Sequence, residues 1–315
     1  MSWWAGRHIH PRRWRLPQAR SPRSRSDQHY VIYLGGIDSL DGSVHTEYER
    51  PLLRGLEHAL GSNARLGSVF PYAISGEALL SGPRFFRWLW RALRKIRQER
   101  RSWLTSLINA RNFFQLLVSA DRRYGPIFNE ALAERIFAVL SEAGWRRYDP
   151  PSRLTLVGYS GGVQIAIGAA PFLARAWHGP IGIISIGGTI LAPAGLDYVD
   201  RLDHLVGSQD LAVRISAIVS AARWPLALRS SWWRAIRSGR IHRVSLLGVG
   251  HTGAHGYLGA EGSNSRSHLE ATLAAVLAAL SRPVFPRAPR ARFGGFRLPA
   301  INRPKITSAR RARID

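Results

Sequence analysis

The sequence predicts an α/β fold, a mostly parallel sheet of about six strands with helices on both faces. Three observations lead there. Short runs of continuous apolar residues, such as YVIYLGG (30–36), LTLVG (154–158) and IGIISIGG (181–188), read as strands buried on both faces. Helical-period stretches separate them, as crossovers between parallel strands require. A chain of 315 residues with 45% apolar content is also large enough to bury a sizeable core.

Taken in order, residues 1–29 are rich in Arg, Ser and Pro and read as a disordered basic arm. YVIYLGG is the first strand, ended by a glycine pair. HTEYERPLLRGLEHAL (45–60) forms a helix whose early part Pro51 weakens, and RLGSVFPY (65–72) the second strand. IFNEALAERIFAVLSEAG (127–144) sets Ile127, Ala131, Leu132, Ile136, Val139 and Leu140 on one helical face, closed by Gly144. LTLVG is the third strand, with the apolar helix VQIAIGAAPFLARA (163–176) behind it. IGIISIGG gives the fourth, LDHLVGSQD (202–210) a short fifth around Leu205 and Val206, and RVSLLGVGH (243–251) the sixth. SHLEATLAAVLAALS (267–281) closes the domain as a helix, and 282–315 return to Pro and Arg as a basic tail. The expected domain is thus 30–281, with insertions at about 76–125 and 211–240.

The formal charge is +25, from 45 basic and 20 acidic residues. Lys95 and Lys305 are the only lysines, so the bias is one of arginine. The arm and the tail supply +6 and +9, leaving +10 for 30–281. Basic tails attract any polyanion and do not tell lipid from nucleic acid. Cysteine is absent, which removes disulfides and thiolate chemistry. The N-terminus lacks the apolar stretch of a secretory signal, and no apolar run approaches the ~18–20 residues of a membrane span. The expected location is cytoplasmic, with peripheral membrane contact as an option.

Ligand sites in parallel sheets lie beyond the carboxyl ends of the strands. Reading those ends in order gives Gly35-Gly36, Ser160, Asp210 and His251. The run GYSGGV (158–163) places Ser160 at a strand-to-helix turn, where Gly158 and Gly162 permit close crossing and Ser160 is expected at positive φ. A serine hydroxyl needs a base to take its proton, and the base needs a carboxylate to fix its tautomer. Asp210 also has a structural reading, as N-cap of LAVRISAIV, and Asp203, Asp200 and Asp197 are rival acids. His255, in GHTGAHGYLG, rivals His251 as the base. No Walker sequence, dinucleotide fingerprint or HExxH motif occurs, so no cofactor or metal is expected.

In these residues and their order the chain resembles the α/β-hydrolase superfamily over about residues 30–281. The resemblance implies Ser160 as nucleophile, His251 as base and Asp210 as acid. It implies oxyanion donors at the amides of Gly161 and of Gly36 or Ile37. Asp38, close by, is placed to orient that loop or repel an anionic substrate. The superfamily's two first, antiparallel strands have no counterpart here.

Both insertions fall where superfamily members carry helical lids. RFFRWLWRALRKIRQERRSWL (84–104) has aromatic and aliphatic residues along one face and arginines on the others, and AARWPLALRSSWWRAIRSGR (221–240) repeats the mixture. Such a stretch suits a lid packed on the sheet or an interfacial helix at an anionic membrane. The expected function is a serine hydrolase acting on a carboxylic ester, lipid-like esters included, through an acyl-enzyme. The alternative is a non-catalytic module of the same fold that docks to an anionic membrane or a protein partner. Nucleic acid is expected only by nonspecific attraction, and the sequence does not set the oligomeric state.

Overall fold

A computed structural model describes residues 28–37, 48–72, 103–146, 150–263 and 266–284. The arm through residue 27, Asp38, the stretch 84–102 and the tail from 285 lie outside the described residues.

Six strands form one sheet: β1 (His29–Leu34), β2 (Ala64–Val69), β3 (Arg153–Tyr159), β4 (Ile181–Ile186), β5 (Arg201–Gly207) and β6 (Ile241–Leu246). The order is β2-β1-β3-β4-β5-β6 and every neighbouring pair is parallel. Seven α-helices are described: α1 (Glu49–Leu60), α2 (Trp103–Ala120), α3 (Gly125–Glu142), α4 (Gly161–Leu173), α5 (Leu211–Val219), α6 (Ser231–Arg237) and α7 (His268–Ser281).

Strand alternation divides the core in two. Tyr30, Ile32 and Leu34 join Leu154 and Leu156 on one face, packed against Phe128, Leu132 and Ile136 of α3 and Val163 and Ile167 of α4. Val31, Tyr33 and Val157 point the other way, onto Leu52 and Leu56 of α1 and Val276 and Leu280 of α7. Both faces are therefore covered, which is why the strands read as continuous apolar runs.

The order reverses at β1, whose neighbours are β2 and β3. A crevice at such a switch point opens beyond the strand ends, between the loops that follow β1 and β3. Gly35-Gly36 and Ser160 lie in those two loops.

Three expectations change in detail. Pro51 does not weaken α1, because it stands in the first turn, where no amide has an intrahelical acceptor. The fifth strand is seven residues long rather than short. The sixth ends at Leu246, since Gly248 at φ 73° turns the chain, so His251 sits on a loop rather than directly after the strand.

Two histidines are enclosed by the sheet. His204 is fully buried, its Nδ1 2.8 Å from Ser185 Oγ across the β4–β5 pair. His29 lies 2.9 Å from Thr155 Oγ1 through Nε2. Burial, then nearby arginines, lowers both pKa values to about 3. The unfolded chain takes up these protons below its ordinary ~6.5, whereas the fold resists them down to about 3. Their contribution to stability is full above ~6.5 and declines as pH falls towards 3, by about 1 kcal/mol per pH unit for His204. Urea unfolding at about pH 7 and about pH 5 should register this loss, and His204→Gln should flatten it. A midpoint indifferent to pH over that interval would contradict the assignment.

Candidate active site

Ser160 ends β3 and precedes α4 with φ 51° and ψ −120°, and is the one non-glycine residue at positive φ among the described residues. Holding a serine there costs ~1–3 kcal/mol. The flanking glycines make the turn possible. A Cβ on Gly162 would lie 2.5 Å from the Leu34 carbonyl oxygen, and one on Gly158 2.9 Å from the Val163 nitrogen. The Ser160 amide donates to the Ile186 carbonyl at 2.9 Å, and its carbonyl accepts from Thr189 at 3.2 Å. Its hydroxyl does not cap α4. It meets His251 Nε2 at 2.9 Å instead.

His251 Nδ1 lies 2.9 Å from Asp210 Oδ2. Three loops distant in sequence thus bring a hydroxyl, an imidazole and a carboxylate into one hydrogen-bonded chain. The two readings of Asp210 prove compatible: Oδ1 caps α5 by accepting from the Val213 amide at 3.0 Å, while Oδ2 serves the imidazole. Tyr257, six residues beyond His251, donates from its hydroxyl to the same Oδ2 at 2.8 Å and accepts from the Gly207 amide at 2.7 Å. Burial alone would raise the Asp210 carboxyl. His251, the Val213 amide and Tyr257 outweigh it and hold its pKa below the usual carboxylate value. Burial and then the Asp210 carboxylate push the Tyr257 hydroxyl upward, against the Gly207 amide, so this phenol stays a donor.

The rival residues have other duties. His255 is exposed and pairs with Glu261 at 3.1 Å, and its carbonyl accepts from the Gly250 amide at 2.7 Å, shaping the loop that presents His251. Asp203 pairs with Arg201 and Arg282, Asp200 accepts from the Ile181 amide, and Asp197 holds Arg234 and Ser231.

On the opposite side of Ser160, the expected donor Gly36 is corrected. Its amide is engaged 3.1 Å from Glu49 Oε1, a buried carboxylate in the first turn of α1 that also accepts from the Tyr33 hydroxyl at 3.0 Å. Gly36 is therefore framework. Its closeness to the turn still matters, since a Cβ there would lie 2.9 Å from the Tyr159 ring. Ile37 follows it, its carbonyl accepting from Asn112 Nδ2 of α2 at 2.5 Å. The amide of Gly161 stands at the first position of α4, where the helix leaves it without an intrahelical acceptor. A Cβ added to Gly161 would lie 2.7 Å from the Tyr72 hydroxyl and 3.1 and 3.5 Å from the side chains of Ile37 and Leu116.

Glu49, Asn112 and Tyr257 were not found by sequence reasoning. Each acts through a bond to a residue between 13 and 75 positions away, and no local pattern encodes that.

No family model matches the chain, and no curated protein matches it in sequence. Among solved structures, it is similar to esterase PE8 at TM-score 0.41 and 16% identity, covering 82% of this chain and 93% of that one. A poly(3-hydroxybutyrate) depolymerase, LpqC from Bordetella parapertussis, follows at 0.37 and 14%, over 84% and 82%. A puromycin-hydrolyzing peptidase from Mycobacterium tuberculosis gives 0.37 and 13%, over 84% of this chain and 35% of that one. Superpositions of this quality carry no argument about chemistry. The parallel sheet, the strand–turn–helix at Ser160 and the chain order Ser160, Asp210, His251 make the fold α/β-hydrolase-like on their own terms.

Because Asp210 has two duties, its variants should separate them. Asp210→Asn keeps an N-cap and should unfold within about 1 kcal/mol of the wild type. Asp210→Ala should lose about 2 kcal/mol or more, from the cap and from stranding Tyr257. Equal urea midpoints for the two variants would show that the carboxylate does not cap α5.

Proposed function

We propose that the protein is a serine hydrolase that cleaves carboxylic esters through an acyl-enzyme. The observation that carries this reading is the unbroken hydrogen-bonded chain from Ser160 Oγ through His251 to Asp210. Ser160 Oγ attacks the ester carbonyl carbon and its proton passes to His251 Nε2. Asp210 holds the ring with Nδ1 protonated and stabilises the imidazolium. The amides of Gly161 and Ile37 are the donors assigned to the developing oxyanion, at the positive end of α4. Collapse of the tetrahedral adduct breaks the bond to the alcohol oxygen, which takes the proton from His251. A water molecule then gives a proton to the same nitrogen as its oxygen attacks the acyl carbon. The bond from that carbon to Ser160 Oγ breaks, and Oγ takes the proton back from His251 as the acid leaves.

The strained backbone favours catalysis over a scaffold that merely keeps the fold. A serine serving only as a turn residue has no reason to sit at φ 51°. Ile37 and Leu116, with the Tyr72 hydroxyl, border the Gly161 position, and a mainly apolar acyl group is the class we assign to that side. A lipid-like ester belongs to that class.

A fluorophosphonate probe is expected to label the wild type and to leave Ser160→Ala unlabelled. His251→Ala should lower kcat on a short p-nitrophenyl ester by about 10³-fold or more, with little change in KM. Folded wild-type protein that neither takes the label nor turns over p-nitrophenyl esters of short or long acyl chain would refute the proposal.

A further inference from the structure

Helix α5 is turned inside out for a surface helix. It buries Val213 and Ser216, while Leu211, Ile215, Ile218 and Val219 face solvent, each between 57% and 70% exposed. Their spacing places all four on one side of the helix. The chain then folds back to widen that side. The Trp224 indole, half exposed, donates to the Ile218 carbonyl at 2.6 Å, and Leu226 and Leu228 project from a turn closed by the Ala227 amide onto the Trp224 carbonyl at 2.9 Å. Leu226 is 94% exposed. Single exposed aliphatic residues are unremarkable, but seven exposed apolar residues gathered on one helix face and the turn tied to it mark an interaction surface.

Charge selects the occupant. Between Asp210 and Glu261 the sequence holds seven arginines and no acidic residue. Arg214, Arg229, Arg237 and Arg243 among them are exposed, while Arg234 is paired with Asp197. A second copy of this surface would bring arginines against arginines with no carboxylate between them. Single-stranded nucleic acid needs aromatic platforms for its bases, and this face is mostly aliphatic. An anionic bilayer meets both requirements: aliphatic side chains enter the headgroup–acyl boundary, and guanidinium groups meet the lipid phosphates.

We propose that α5 and the turn from Trp224 to Leu228 form a docking surface for an anionic lipid bilayer. Leu211, at the start of the patch, directly follows Asp210, so the patch begins at the residue that pairs with His251. The contact lies on a different segment from 84–104, and it stands whether or not Ser160 is a nucleophile.

The test uses the full chain, whose basic ends attract vesicles by charge alone, so the variants must change the apolar face and leave the ends intact. Vesicles of phosphatidylglycerol with phosphatidylcholine are compared with phosphatidylcholine alone in co-sedimentation, at about 0.15 M and about 1 M salt. Wild type is expected to bind the anionic vesicles and to retain part of that binding at the higher salt. The double variant Ile215→Asp, Ile218→Asp should bind about tenfold more weakly or worse. Leu226→Asp, at a position where folding is least affected, should weaken binding in the same direction. Doxyl-labelled lipid should quench part of the tryptophan emission, and that part should vanish in Trp224→Phe while partitioning persists. Undiminished binding by both aspartate variants, or quenching unaltered by Trp224→Phe, would overturn the proposal. So would a wild-type dimer that the double variant converts to monomer.

Discussion

A single strained residue organises the molecule's carboxyl-terminal edge. Ser160 cannot relax to negative φ without leaving the turn between β3 and α4, and that turn exists because two glycines let the helix lie directly on the sheet. With Gly162 against Leu34 and Gly158 against Val163, the crossing is too close for any side chain. The cost of the strained backbone is ~1–3 kcal/mol, against the burial of α4, whose Val163, Ile165 and Ile167 are wholly enclosed. Each such side chain contributes about 1.5–3 kcal/mol on burial. Packing wins easily, and the hydroxyl, spared from capping the helix, is left to meet His251 Nε2.

The partners of Ser160 are fixed by polar contacts rather than by apolar packing alone. Asp210 is held from three directions, by the Val213 amide, Tyr257 and His251. The loop carrying His251 is in turn pinned by the Tyr159 hydroxyl, which donates to the His251 carbonyl at 3.1 Å. Tyr159 immediately precedes Ser160, so the strand that carries the serine also sets the height of the imidazole. On the far side Glu49 holds Gly36, and through it the residues leading to Ile37. The described residues at Gly36, Asp210 and His251 are each tied down by a buried side chain reaching a backbone group, which holds these positions in advance of any substrate.

What the sequence made legible follows the same division. The fold could be read because strands buried on both faces leave unbroken apolar runs, as in YVIYL and IGIISI. Ser160 could be read because the glycines that permit the turn are adjacent to it. Asp210 was ambiguous between cap and acid, and its two oxygens make both contacts, one to the Val213 amide and one to the imidazole. His251 was separable from His255 only by position, although the strand before it ends at Leu246, five residues ahead of His251. Between Gly36 and Ile37 the sequence left the choice open, because the Gly36 amide answers to Glu49, a carboxylate sitting in an otherwise ordinary amphipathic helix. Glu49, Asn112 and Tyr257 left no local trace. Their roles arise only when the topology places α1, α2 and the His251 loop around one strand end.

The most direct measurement is the mass of the intact chain, and of its peptides, quenched during turnover of an activated ester. A relay built on Ser160 predicts a transient increase equal to the acyl group, on the peptide containing Ser160, appearing as the alcohol leaves and decaying as the acid is released. Turnover without any adduct, or an adduct carried by another residue, would contradict it.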